Sequence, residues 1–170
     1  MAHIILITGG ARSGKSAEAE RRALRLSPCP VYMATAHVWD EEFRQRIARH
    51  QARRGPEWTN IEEERYLSHH DVKGRVVLVD CITLWLTNIF FAVNGVDQAF
   101  AEAKAELDRL TEQEATFIFV TNEIGLGGVS TDAVQRQFTD LQGLVNQYVA
   151  SKSHEVVLMV SGLPLTIKHS

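Results

Sequence analysis

The chain has 170 residues, of which 45% are hydrophobic and 23% charged, and it carries 18 lysines and arginines against 21 aspartates and glutamates. This length suits one domain with a full core, and the composition excludes a disordered, collagen-like or disulfide-scaffold protein. The formal net charge of −3 argues against a protein that mainly coats nucleic acid, because such binding needs many cations. We therefore expect residues 1–170 to form a single domain in which any positively charged binding surface is confined to one region.

The start of the chain and its two cysteines favour a cytoplasmic protein. Residues 1–7 have no basic segment, and their apolar run is far too short for a signal peptide. Cys29 and Cys81 are not in a C-x-x-C pair, which indicates free thiols in a reducing compartment. The most apolar longer stretch, residues 81–93, is interrupted by polar residues and is too short for a membrane span.

Short and almost entirely apolar runs recur along the chain and predict strands that are buried on both faces. They lie at residues 4–8, 31–34, 76–79, 117–120 and 156–160. Apolar residues at helical spacing lie between them, at 100–110 and 134–148. This alternation predicts an α/β fold, a mostly parallel sheet with helices on both faces. Residues 58–61 and 165–168 predict two further short strands, the last one as an antiparallel edge.

A phosphate-binding loop is predicted directly after the first strand. The pattern G-x-x-x-x-G-K-[ST] is matched by Gly9, Gly10, Ala11, Arg12, Ser13, Gly14, Lys15 and Ser16. In such a P-loop the backbone N–H groups and the following helix N-terminus surround phosphates, Lys15 reaches the β- and γ-phosphate oxygens, and Ser16 can ligate Mg²⁺. The alternative is a glycine-rich turn that binds nothing. Because the loop lies between a predicted strand and a predicted helix, we favour nucleotide binding.

Asp80 ends the strand predicted at residues 76–79. P-loop proteins commonly use a carboxylate at the end of a second buried strand to help hold the metal ion, so Asp80 is the candidate for this role. Its alternative role is to cap the helix that follows, since aspartate is favoured at that position.

A basic helix is predicted between Asp40, a suitable N-cap, and Gly55, which with the next proline ends it. Residues 43–54 contain five arginines and no acidic residue. Phe43, Ile47 and His50 share one stripe of this helix, so His50 is expected to point toward the body of the protein.

Two arginines of this helix, Arg46 and Arg53, lie within one turn of His50. Their charge disfavours the imidazolium form, so His50 is expected to be neutral and nucleophilic, while the arginines bind the polyphosphate under attack. From spacing alone, however, such a helix can equally be a solvated face or an RNA-binding patch, and an inward histidine can be structural.

A glycine-rich loop at residues 121–130 follows the strand predicted at 117–120. Because the carboxyl ends of parallel strands face the ligand crevice, this loop is expected to overhang the P-loop. It is either a mobile lid or a plain loop that needs glycine for its turns.

Together these motifs resemble the bifunctional adenosylcobinamide kinase/adenosylcobinamide-phosphate guanylyltransferase family of cobalamin biosynthesis. The resemblance covers nearly the whole chain in order. It rests on residues 8–16 (TGGARSGKS), 46–50 (RIARH), 80–83 (DCIT), 121–125 (TNEIG) and 160–162 (VSG).

The resemblance implies two reactions. The first phosphorylates the aminopropanol hydroxyl of adenosylcobinamide with a nucleoside triphosphate, either ATP or GTP. The second transfers GMP from GTP through a covalent GMP-histidine, matched here by His50, with release of pyrophosphate. By the same matching, the GTP site is lined by residues 9–16 and by Ala34, Thr35, Ala36, Gln51, Ala52, Arg53, Arg54, Glu62 and Asp80, and Ser16 and Asp80 hold Mg²⁺.

The resemblance also implies binding partners, and this sequence departs from the family pattern in two places. Relatives bind a corrinoid substrate and assemble as homo-oligomers, trimers in particular, so the apolar helix at residues 81–93 is expected either at such an interface or in the core of its own chain. Gly128 and Ser130 stand where relatives carry a large aliphatic residue and a proline, and His37 has no assigned role.

Two other functions stay open. One is a simple P-loop kinase of another small metabolite, in which the arginines only clamp phosphate and His50 is structural. The other is a nucleotide-dependent switch or RNA-binding protein that uses residues 44–54. The acidic total and the absence of interleaved aromatic residues in that helix count against nucleic acid.

Overall fold

Seven strands form one sheet in this computed structural model, which describes residues 1–170. They are β1 His3–Gly9, β2 Val31–Ala34, β3 Thr59–Glu62, β4 Val76–Asp80, β5 Thr116–Asn122, β6 Glu155–Val160 and β7 Leu163–His169. Their order across the sheet is β3-β2-β4-β5-β1-β6-β7. Neighbouring strands are parallel except β6 and β7, which pair antiparallel. The predicted mostly parallel sheet with an antiparallel C-terminal edge is confirmed.

Five α-helices connect the strands. They are α1 Lys15–Leu26, α2 Glu41–Ala52, α3 Ile82–Phe90, α4 Gly95–Thr111 and α5 Ala133–Lys152, with a single 3₁₀ turn at Leu67–His69. None of them combines the length and the apolar composition that crossing a bilayer requires.

Alternate residues of β1 enter two separate cores. Ile4 and Leu6 pack in a core of 25 buried residues that also contains side chains of α3, α4 and α5. Ile5 and Ile7 pack in a core of 13 residues that contains Ala19 and Ala23 of α1. Since successive strand residues point to opposite faces, the two cores lie on opposite faces of the sheet, and the predicted helical cover on both faces is confirmed.

Helix α3 is buried in the core of its own chain. Ile82, Trp85, Leu86 and Ile89 are each fully buried without any second copy. Trp85 also donates from its indole nitrogen to the backbone oxygen of Arg65 at 2.8 Å. Of the two expected locations for this helix, the structure selects the core, because the helix fills the larger face of the sheet.

Helix α2 packs differently from the other helices. Asp40 caps its N-terminus, with the side chain accepting a hydrogen bond from the backbone N–H of Phe43 at 2.7 Å. Phe43, Ile47 and His50 form the predicted inward stripe, but all three are only half-buried, and no residue of α2 is fully buried. The helix and its inward histidine are confirmed, and α2 contributes almost nothing to either core.

The strand register aligns polar residues at the carboxyl edge of the sheet. Ala34 at the end of β2 is paired with Glu62 of β3 on one side and with Asp80 of β4 on the other. The edge continues through β1, where Gly9 is paired with Asn122 of β5. Parallel pairing therefore places these residues side by side, as expected for a ligand crevice.

Thr35 joins the carboxyl ends of β2 and β4. Its fully buried hydroxyl donates to the backbone oxygen of Cys81 at 2.7 Å and accepts from the Cys81 N–H at 2.9 Å. Cys81 in turn caps α3, since its sulfur accepts from the Leu84 N–H at 3.5 Å. The expectation that Asp80 caps this helix is wrong, because the Asp80 carboxylate is turned toward α1 and β2.

We predict that Thr35→Val destabilises the protein by about 2 kcal/mol, because the Cys81 N–H loses its buried partner and the Cys81 carbonyl oxygen keeps only its bond from the Trp85 N–H, while the side-chain volume stays the same. Urea unfolding measures the loss. Thr35→Ser, which keeps the hydroxyl, is the matched control, and equal stability of the two variants would contradict the role given to the hydroxyl.

Candidate nucleotide-binding site

At two positions of the loop between β1 and α1, the backbone accepts only glycine. Gly9 has φ +155°, and a Cβ there would lie 2.7 Å from the backbone oxygen of Met159 and 2.7 Å from the hydroxyl of Ser13. Gly14, at φ +94°, is the N-cap of α1. The glycines of the motif are therefore required by crowding and backbone conformation, and the loop ends at a helix N-terminus, as the P-loop prediction requires.

Two polar side chains of this loop have no partner outside it. Lys15 is 8% exposed and donates from Nζ to the backbone oxygen of Gly10. Burial lowers the pKa of Lys15, and the charge of Arg46 on α2 adds to the effect. The hydroxyl oxygen of Ser13 is buried without a hydrogen-bond partner. Phosphate oxygens would satisfy both groups, which fits the predicted role of the loop.

Ser16 and Asp80 meet directly. The Ser16 hydroxyl donates to Oδ2 of Asp80 at 2.8 Å, and the same oxygen accepts from the Tyr32 hydroxyl at 2.8 Å. Burial, and then the Asp80 charge, raise the pKa of Tyr32, so the phenol stays a neutral donor. A hydroxyl and a carboxylate are the hard oxygen ligands that Mg²⁺ prefers, so the residues present fit the predicted metal site.

His50 is held by an arginine. Nη2 of Arg53 lies 3.0 Å from Nδ1 of His50. Since a guanidinium is always a donor, Nδ1 is the acceptor, and a neutral ring carries its proton on Nε2. Burial lowers the pKa of His50, and the charge of Arg53 lowers it further. Both effects favour the expected neutral state, and burial is the larger of the two.

Arg54 links the end of α2 to β2. Its guanidinium carbon lies 3.5 Å from the centroid of the Tyr32 ring, while Nη1 donates to the backbone oxygen of His50 at 3.1 Å and Nε to Oδ1 of Asn60 at 3.2 Å. A cation over an aromatic face is attracted by the ring quadrupole. The histidine end of α2 is thereby connected to the strand beside Asp80.

A half-buried acid lies beside these arginines. Oε1 of Glu20, one turn beyond Ser16 on α1, has no hydrogen-bond partner and lies 3.8 Å from Nη2 of Arg53. Burial raises the pKa of Glu20, although Arg53 and Arg54 oppose that shift. Glu20 therefore faces the same space as the predicted GTP-binding residues.

The remaining predicted GTP-binding residues lie around this space with different exposure. Thr35 is fully buried and its hydroxyl is occupied by Cys81, so the side chain is not free for a ligand. Ala34 and Ala36 are half-buried, and Ala52 is exposed. Gln51 reaches Glu62, with 3.5 Å between Nε2 and Oε1. The structure thus brings the P-loop, the strand ends and the end of α2 to one edge of the sheet.

The loop after β5 begins against the P-loop. The Glu123 N–H donates to the backbone oxygen of Gly9 at 2.9 Å, and the Glu123 carboxylate accepts from the N–H groups of Gly125 and Leu126. Beyond this anchor, Leu126 and Val129 are each 86% exposed. The role of a lid stays a prediction.

His37, which had no role from sequence, lies at the surface. Its Nδ1 is 2.9 Å from Oε1 of Glu64, and its ring packs edge-on against Trp39.

Tyr32 and Glu20 are the two site residues that sequence reasoning missed. A signal existed for Tyr32, because a buried tyrosine hydroxyl in an apolar strand usually has a partner. For Glu20 the signal was an acid on the helix after the P-loop, four residues beyond Ser16 and therefore on the same face.

Comparison with known proteins agrees with this geometry. The model of the family described as cobinamide kinase / cobinamide phosphate guanyltransferase matches residues 5–167. The bifunctional adenosylcobalamin biosynthesis protein CobP of Pseudomonas aeruginosa is 40% identical over 167 residues, covering 96% of this chain and 96% of that protein. CobU of Escherichia coli, described in the same words, is 36% identical over 181 residues, covering 97% of this chain and 99% of that protein.

Among solved structures, the flagellar accessory protein FlaH of Methanocaldococcus jannaschii is similar with a TM-score of 0.49 and 13% identity, covering 99% of this chain and 79% of that chain.

The family match contains the P-loop, helix α2 with His50, and Asp80, which lie at this edge of the sheet. Its extent, together with relatives at 36% and 40% identity over nearly their full lengths, confirms the resemblance seen in the sequence. The chain belongs to the cobinamide kinase/cobinamide phosphate guanyltransferase family.

Proposed function

We propose that this chain phosphorylates the aminopropanol hydroxyl of adenosylcobinamide and then transfers GMP from GTP to the resulting phosphate through a covalent GMP-histidine at His50. The observation that carries this proposal is a half-buried histidine that Arg53 and Arg54 contact at the same sheet edge as the P-loop, with a pKa that burial and Arg53 lower. The family to which the chain belongs supports both reactions.

In the kinase step the P-loop holds the triphosphate and the substrate hydroxyl attacks the γ-phosphorus. Lys15 exchanges its contact with Gly10 for phosphate oxygens, and Ser13 gains the partner that it lacks. Ser16 and Asp80 would hold Mg²⁺, which supplies charge stabilisation at the phosphates when bound. Either ATP or GTP serves as phosphate donor.

In the transfer step a ring nitrogen of His50 attacks the α-phosphorus of GTP. The N–P bond forms, the bond to the β-phosphate oxygen breaks, and pyrophosphate leaves. In the neutral ring the free lone pair is on Nδ1, to which Arg53 donates. The triphosphate must therefore draw this guanidinium away before Nδ1 can attack. An oxygen of the cobinamide phosphate then attacks the same phosphorus and releases His50.

The central test is labelling with Mg²⁺ and GTP that carries the label at either the α- or the γ-phosphate, followed by a denaturing gel. We expect protein label from the α position only, stable in base, labile in acid and absent in His50→Ala. His50→Ala is expected to keep the kinase step. His69→Ala, at an exposed histidine outside the site, is the matched control. No label from a protein that binds GTP would favour the simple kinase and make His50 structural.

Lys15→Ala is expected to abolish both reactions, because both need the triphosphate in the P-loop. The measurements are phosphorylation of cobinamide and labelling from α-labelled GTP. Lys73→Ala, at an exposed lysine paired only with Glu114, is the matched control and should match the wild type. Transfer that survives in Lys15→Ala would place GTP for this reaction outside the P-loop.

The labelling rate should depend on pH in a defined direction. A protonated imidazole has no lone pair to attack with, and the pKa of His50 lies below its ordinary value of 6.5. At subsaturating GTP, where the rate reports the free protein, we expect a plateau down to pH 6.5 and a decline only below it. Arg53→Ala should move the decline upward, and a wild-type midpoint above pH 6.5 would contradict the assignment.

We further propose that the partners are a corrinoid substrate and other copies of this chain, in a trimer or larger homo-oligomer, and that nucleic acid is not a partner. Leu163, Leu165 and Ile167 of the edge strand β7 are 71%, 55% and 59% exposed. An exposed apolar edge strand is a surface that proteins usually cover. Two free cysteines fit a reducing cytoplasm.

Light scattering after gel filtration tests the self-association. We expect a mass of three or more chains for the wild type and a smaller mass for Leu165→Lys, because a charge at the centre of β7 would have to be buried. Lys168→Arg, which keeps the charge on the same strand, is the control. A wild-type mass of one chain, 19.1 kDa, would contradict the proposal.

A further inference from the structure

We infer that Tyr32 is a positioning residue that couples Asp80, beside the P-loop, to helix α2, which carries His50. The coupling uses two separable contacts. The Tyr32 hydroxyl holds Asp80, and the face of the Tyr32 ring holds Arg54, which in turn holds His50. This inference rests on the proposed function, because it assigns the hydroxyl contact to both reactions and the ring contact to the transfer reaction alone.

The hydroxyl contact fixes the carboxylate beside the P-loop. The Tyr32 hydroxyl donates to Oδ2 of Asp80 at 2.8 Å, on the same oxygen that accepts from Ser16. Tyr32 is only 5% exposed, and Trp58 packs edge-on against its ring with 5.9 Å between the ring centroids. The phenol is therefore held rigidly, and its hydroxyl restrains the carboxylate that both reactions need.

The ring contact fixes the end of the histidine helix. The guanidinium carbon of Arg54 lies 3.5 Å from the centroid of the Tyr32 ring, and Nη1 of Arg54 donates to the backbone oxygen of His50 at 3.1 Å. Arg54 makes no ion pair at hydrogen-bond distance, and its one hydrogen bond to a side chain is to Asn60. The aromatic face is thus the buried support under this guanidinium.

This support matters because α2 has no buried anchor of its own. None of its residues is fully buried, so polar contacts at its C-terminal end set the place of His50. Among them, Nε2 of Gln51 lies 3.5 Å from Oε1 of Glu62, and Nη2 of Arg53 lies 3.8 Å from Oε1 of Glu20. All of these side chains except Glu20 are exposed. The stack of Arg54 on Tyr32 is the contact that reaches the core.

The two contacts predict different reaction rates for two variants of Tyr32. Tyr32→Phe removes the hydroxyl and keeps the ring, so the kinase rate and the labelling rate should fall by a similar factor of about ten. Tyr32→Leu removes both contacts, so its kinase rate should equal that of Tyr32→Phe, while labelling of His50 should fall by a further factor of about ten. A residue that only supports the fold would lower both rates together in both variants.

Arg54→Lys tests the ring contact without touching the core. Lysine keeps the charge but loses the planar stack, so labelling should fall. If Arg54 acts through the ring, the double variant Tyr32→Leu/Arg54→Lys labels no more slowly than Tyr32→Leu. Losses that multiply would overturn the coupling. Arg44→Lys, at an exposed arginine of the same helix, is the matched control.

Hydrogen exchange at residues 41–54 separates failure of this inference from failure of the proposed function. Exchange should be faster in Tyr32→Leu than in Tyr32→Phe, whether or not the protein forms a GMP-histidine. If the wild type takes no label but exchange follows this order, the proposed function is wrong and the coupling stands. If the wild type takes label and the two variants agree in labelling and exchange, the coupling is wrong.

Discussion

The site depends on one carboxylate oxygen. Oδ2 of Asp80 accepts from Ser16 of the P-loop helix and from Tyr32 of the neighbouring strand, and so ties three elements together at one point. Parallel pairing brings Asp80 level with the end of β2, and the buried hydroxyl of Thr35 holds the chain directly after it. A carboxylate with two neutral donors and no ion pair within hydrogen-bond distance is prepared to receive a cation.

The two reactions place opposite demands on the structure around this carboxylate. The P-loop has a closely determined backbone, since Met159 and Ser13 leave no room for a side chain at Gly9 and Gly14 has a φ of +94°. Helix α2, in contrast, buries no residue and is attached by polar and aromatic contacts. The proposed contact of the α2 arginines with a triphosphate requires these side chains to lie outside both cores. The histidine is therefore placed by its arginines, and the core takes little part.

Charge is arranged locally in a chain whose total is acidic. Arginines lie near His50, and Lys15 lies within range of Arg46, so burial and like charge both lower the pKa values of His50 and of the P-loop lysine. Oε1 of Glu20, the acid 3.8 Å from Arg53, lacks a hydrogen bond, and burial raises the pKa of this carboxyl. Incoming phosphate would meet an excess of positive charge, which favours its binding at this edge of the sheet.

The sequence by itself determined the strands, the parallel sheet, the P-loop and the inward histidine, because each is encoded in local patterns: apolar runs, a glycine-rich turn, and helical spacing after a capping aspartate. Tertiary structure decided that Cys81 and not Asp80 caps α3, that α3 fills its own core, and that Tyr32 and Glu20 join the site. Such contacts join residues distant in the chain, as with Tyr32 and Asp80. They follow from strand order and register, which local patterns do not encode.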